Sequence, residues 1–86
     1  MERMYETIDV WRRLSDGSLL RYRCFRVIPD GTYVVQSADA VRPGETSVLG
    51  DAQFVELLTE LAPHIRARPQ ATLEAAIAAF DKAFGL

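Results

Sequence analysis

The sequence predicts an α+β fold: a three-stranded antiparallel β-meander with two α-helices packed on one face, in the order β-β-β-α-α. Three observations predict it. Residues 4–38 are rich in β-branched and aromatic side chains. Two Asp-Gly pairs, Asp16-Gly17 and Asp30-Gly31, punctuate that stretch, and Asp-Gly between β-type runs is a strong hairpin signal. From residue 51 onward the apolar spacing changes to a helical repeat. The chain has 86 residues, which is one small domain, 1–86, with room for one modest core.

The elements follow in order. The expected strands are Met4–Leu14, Ser18–Ile28 and Thr32–Ala38. Residues 39–50, with Pro43, Gly44 and Gly50, read as a connecting loop. Phe54, Leu57, Leu58 and Leu61 then fall on one helical face. Asp51 suits the N-cap of that helix, and Pro63 disfavours helical geometry at Ala62 and so ends it. His64–Gln70 reads as a loop or a short extended piece. Leu73, Ala76, Ile77, Phe80 and Phe84 make a second helical face, with Thr72 as its cap and Gly85 as its stop.

Hairpin register decides which side chains meet. A two-residue turn at Asp16-Gly17 would set Arg12 opposite Arg21 and Val10 opposite Arg23, and directly opposed like charges are unfavourable. A three-residue loop with a glycine bulge sets Trp11 opposite Arg21, Asp9 opposite Arg23, Thr7 opposite Phe25 and Val10 opposite Tyr22. Those are a cation–π pair, an ion pair and two packing pairs. The second hairpin is expected to follow the same rule, with Pro29 at the first central turn position and Ile28 opposite Thr32.

This register sorts the sheet. Met4, Ile8, Val10, Leu14, Leu20, Tyr22, Cys24, Ile28, Val34 and Ala38 form the expected core face, interrupted by Glu6, Arg12, Arg26 and Gln36. Cys24 is expected there as an inert apolar filler. The other face carries Trp11, Arg13, Arg21, Arg23, Phe25 and Tyr33. Trp and Arg are over-represented at binding hot spots, so these six residues are the candidate binding surface.

Composition narrows the function classes. Nine Arg against one Lys, with eleven Ala, reads as the codon bias of a GC-rich bacterial genome, so only the position of an Arg argues for recognition. A single cysteine cannot form an intrachain disulfide, which favours a reducing, cytoplasmic setting. The chain shows no apolar run of signal-peptide or membrane-span length, so no membrane association is expected. Residues 1–43 carry seven Arg and six acids (+1), and residues 44–86 carry three basic residues and six acids (−3). That balance is thin for a surface tracking phosphates.

Chemistry-bearing motifs are sparse. His64, the only histidine, reads as a solvated loop residue, and with Cys24 it makes no zinc spacing. Glu56 and Glu60 share one helix face and read as its solvated back. No G-x-S-x-G elbow and no Gly-rich phosphate loop occurs. No enzyme activity, cofactor or metal is therefore expected. Asp30–Val35 (DGTYVV) resembles the second hairpin strand of HicB-type antitoxins, and Thr72–Ile77 (TLEAAI) resembles their following helix. A loop and a whole further helix stand between the two segments here, and no function is carried over from the resemblance. The expected function is a non-enzymatic protein-interaction or regulatory module that meets a protein partner, or a second copy of itself, on the aromatic and Arg face. Single-stranded nucleic-acid binding on the same face is the alternative.

Overall fold

The structure, a computed structural model, describes residues 2–41 and 56–86. Three strands, β1 (Met4–Arg13), β2 (Leu19–Ile28) and β3 (Thr32–Val41), form one antiparallel sheet in the order β1-β2-β3. The helical residues are α1 (56–60), α2 (Pro63–Arg66) and α3 (Leu73–Phe84). The chain is thus an α+β fold, a meander followed by small helices, as the sequence predicts. β3 runs past Ala38 to Val41, because Asp39, Ala40 and Val41 continue the ladder opposite Arg21, Leu20 and Leu19. The expected cap at Asp51, the helical position of Phe54 and the loop residues Pro43, Gly44 and Gly50 lie outside the described residues.

The first hairpin has the expected geometry. The Leu14 N–H donates to the Ser18 carbonyl at 2.9 Å, and the Gly17 N–H donates to the Leu14 carbonyl at 3.1 Å. Gly17 has φ 87°, the left-handed conformation that closes such a loop. Asp16 fixes the turn by accepting from the Ser18 N–H at 2.9 Å. The register follows: Trp11 faces Arg21, Asp9 faces Arg23, Thr7 faces Phe25 and Val10 faces Tyr22.

The second hairpin corrects the expected register. Val27, not Ile28, pairs with Thr32, so Phe25 faces Val34 and Cys24 faces Val35. Residues 28–31 make a four-residue connection, closed by the Gly31 N–H donating to the Val27 carbonyl at 2.8 Å. Pro29 therefore sits within a longer connection than the three-residue turn expected of it. Beyond Cys24 the register shifts by one: Arg23 pairs with Ser37, and Gln36 is the extra residue of a β-bulge. From Ser37 to Val41 the pairing returns to the expected register. The slip is confined to residues 32–35, and each of those side chains changes face. Val34 joins the side of Phe25, while Tyr33 and Val35 join the side of Cys24.

Both faces carry apolar clusters. Tyr22, Cys24, Val35 and Ala76 are buried together, with Ile8, Val10, Leu20, Tyr33, Leu73, Ile77 and Phe80 packed around them. This cluster holds α3. Its helix starts where Thr72 accepts from the Ala75 N–H at 3.1 Å and stops at Gly85, whose φ is 70°. Polar residues on this side are paired. Glu6 faces Arg26 and accepts from its Nε at 2.7 Å, and Arg12 reaches Asp81 of α3. Phe25, Val27 and Val34 form a second buried cluster with Tyr5, Leu58 and Ala67. The face that carries Phe25 is therefore covered at that end of the sheet.

The stretch between α1 and α3 is ordered by three devices. Pro63 opens α2 in its first turn, where a missing N–H leaves no bond unmade. His64, expected to be solvated, shares a 2.7 Å hydrogen bond with the Tyr5 hydroxyl and stacks on its ring. Gln70 bonds to Tyr33 through both backbone groups, each at 2.8 Å, and so caps the start of the β3 edge.

Candidate interaction surface

The six candidate residues divide by position. β1 presents Trp11 and Arg13, both exposed, on the face opposite α3. The Trp11 side chain is 50% exposed. Its cross-strand neighbour Arg21 places the guanidinium carbon 5.4 Å from the indole centroid. Such a contact is worth roughly 0.5–1 kcal/mol at an exposed site and stiffens both groups.

Asp39, brought opposite Arg21 by the extra length of β3, completes the cluster. Its carboxylate lies 3.6 Å from Arg21 Nη2 and 3.8 Å from Arg23 Nε. Arg23 was expected to pair with Asp9. The two do stand opposite each other, but the guanidinium reaches Asp39. Only 13% of the Arg21 side chain is exposed, and its Nε is buried without a hydrogen-bond partner. A guanidinium stays charged at any physiological pH, so an unmatched buried donor on it is costly. Trp11 above and Asp39 beside it are what hold it there.

The other candidates lie elsewhere. Phe25 is fully buried beneath Tyr5 and Leu58, and Arg23 is also buried. Tyr33 lies on the α3 side, because of the register slip, and belongs to the Cys24 cluster. The accessible part of the surface is therefore Trp11, Arg13 and the outer edge of Arg21, with Asp39. Asp39 was not among the sequence candidates. The signal for it was register: extending β3 by one pair beyond Ala38 puts an acid opposite Arg21.

Several titratable groups outside this surface hold structural contacts: His64 with Tyr5, Asp81 with Tyr22 and Glu6 with Arg26. Burial pushes the Cys24 thiol up to about 11, which leaves it protonated and unreactive at neutral pH. Among the described residues no group of three His, Cys, Asp or Glu side chains is placed to hold a metal ion. No described helix is long and apolar enough to cross a membrane. No family model, curated protein or solved structure matches the chain.

Proposed function

We propose that this protein is a non-enzymatic interaction module that docks a protein partner on Trp11 and Arg21. The observation that carries the reading is the half-exposed indole held over a largely buried guanidinium. A flat ring already fixed by its neighbour loses little freedom when a partner covers it, which is the property of a hot-spot residue. Arg13, on the same face of β1, adds a rim cation.

The charge pattern favours a protein over a nucleic acid. Asp39 lies within 4 Å of two of the three cations that would meet phosphates. Phe25 is too deeply buried to stack on a base, and Tyr33 lies on the other side of the sheet. A phosphate-tracking surface needs uncompensated charge and free rings on one face.

The test is a tagged pull-down with the Trp11→Ala/Arg21→Ala double variant. Loss of a partner that the wild type retains, with an unchanged circular dichroism spectrum, supports the reading. Retention of the same partner by the variant overturns it. A gel shift with single-stranded oligonucleotide at low salt separates the alternative, since retardation that fades steeply with salt would favour nucleic acid.

A further inference from the structure

The two edges of the sheet differ. The β3 edge is occupied at Tyr33 by Gln70, and Val34, Val35 and Gln36 beyond it are buried. β1 has ten residues, none of them proline, and follows β2 without a bulge. Leu14 bonds inward to Ser18, so alternation turns the backbone N–H and C=O of Tyr5, Thr7, Asp9, Trp11 and Arg13 outward. Among the described residues no backbone bond reaches these groups, and Thr7, Asp9, Trp11 and Arg13 are exposed. A long, straight edge of this kind is a template for another strand.

Charges on an edge ordinarily guard it against pairing, but those of β1 match their own reversal. Glu6 and Arg12 lie three positions either side of Asp9, on the α3 side with Ile8 and Val10. Tyr5 and Arg13 lie four positions either side of Asp9, on the other face. When two copies pair antiparallel about Asp9, Glu6 of each meets Arg12 of the other. Ile8 then meets Val10, Thr7 meets Trp11 and Tyr5 meets Arg13. Odd-numbered residues face odd-numbered residues, so the outward backbone groups exchange bonds. Glu6 and Arg12 keep 52% and 55% of their side chains exposed despite their partners Arg26 and Asp81, so both can reach across. The charges then alternate in sign: Arg26, Glu6, Arg12 of the second copy and its Asp81. Moving the axis to Ile8 or Val10 sets Glu6 against Val10 or Leu14, and Arg12 against Met4 or Ile8, and loses these ion pairs. The unfavourable meeting about Asp9 is that of Asp9 with its own image.

We propose that two copies of this chain pair along β1, antiparallel about Asp9, and join their three-stranded sheets into one continuous sheet with both α3 helices on the same side. A strand-to-strand interface is small, so the dimer is weak and depends on concentration. The proposal rests on the edge of β1 and not on the docking face formed by the Trp11 and Arg21 side chains.

Sedimentation equilibrium over a range of protein concentrations reads the association. The wild type is expected to pass from monomer to dimer as concentration rises, and a monomer at every concentration up to about 1 mM overturns the proposal. Glu6→Arg and Arg12→Glu each oppose like charges twice and weaken the dimer by about tenfold or more. An equimolar mixture of the two variants dimerises again, because every meeting of positions 6 and 12 is then between opposite charges. Asp9→Asn tightens the dimer by about threefold, since it removes the repulsion at the axis. Oxidative cross-linking reads the register. In a Cys24→Ala background Asp9→Cys joins two copies, while Thr7→Cys, held far from its image, does not. A mixture that dimerises no better than either charge variant alone, or cross-linking through Thr7→Cys and not through Asp9→Cys, overturns the proposal. Circular dichroism of each variant separates loss of pairing from loss of fold. The Trp11→Ala/Arg21→Ala variant still dimerises, so this edge and the Trp11 surface fail or stand separately.

Discussion

The Tyr22 hydroxyl donates to the Asp81 carboxylate at 2.8 Å and so joins β2 to α3 across 59 positions of sequence. Arg12 of β1 lies 3.6 Å from the second oxygen of the same carboxylate. One carboxylate therefore ties three elements together. Burial, with a smaller contribution from Asp81, raises the Tyr22 pKa and keeps the hydroxyl a donor. Tyr22→Phe is expected to lower stability by about 1–2 kcal/mol, since it removes a bond to a charged acceptor and keeps the ring packing. Urea denaturation measures it, and an unchanged midpoint would show that the bond contributes nothing.

Cys24 predicts a pH dependence. Its thiol titrates at about 11 in the folded protein, against 9.0 for an ordinary cysteine, because of burial and, less, Asp9. Below pH 9 both states hold the proton and stability is insensitive to this group. Between 9 and 11 the unfolded chain releases it first, so stability falls as pH rises, by about 2–3 kcal/mol in total. Denaturation of wild type and Cys24→Ala at stepped pH isolates the effect, because the difference between them shrinks with rising pH. A constant difference would remove the thiol as its source. The same burial predicts that a thiol reagent labels the folded protein only at the rate of its opening.

Asp39→Asn tests the charge cluster. The substitution keeps the shape and removes a carboxylate that lies within 4 Å of both Arg21 Nη2 and Arg23 Nε. Both guanidinium groups are largely buried while Asp39 is partly exposed, so the expected loss is about 1–2 kcal/mol rather than the larger cost of a fully buried pair. Thermal melting at low and high salt checks it. A rise in stability would mean that the ion pairs do not offset the desolvation of Asp39.

Gly17→Ala tests the first hairpin. A Cβ at this position would meet nothing within 4 Å, so the cost is backbone conformation alone. At φ 87° that cost is about 1 kcal/mol or somewhat more. A neutral result in urea denaturation would mean that the loop relaxes to another turn.

Much of this architecture is legible in the residues. The Ser15-Asp16-Gly17 loop could be decided because the wrong register would oppose Arg12 to Arg21, so electrostatics and turn geometry agreed. Thr72 and Gly85 bracket α3 in the expected way. The second hairpin offered no such charge test. Its adjacent apolar pair, Val34-Val35, fits either register, and the bulge at Gln36 hides the slip by restoring the frame from Ser37 onward. Phe25 and Val27 were a signal of a covered face, since two large apolar residues alternate there beside Tyr5. Reading them together, rather than with the distant Trp11, would have separated the buried end of that face from the accessible one.

Gln36 acts on the hairpin as a spare tooth on a gear. It lets the end near Pro29 and the end near Val41 run in frames that differ by one. Only with both frames does Val34 sit over Phe25 while Asp39 stands beside Arg21. A one-codon deletion there would oblige half of β3 to roll over, exchanging Val34 for Val35 or displacing Asp39. Shortening the strand by that residue should therefore harm the protein far more than replacing its side chain.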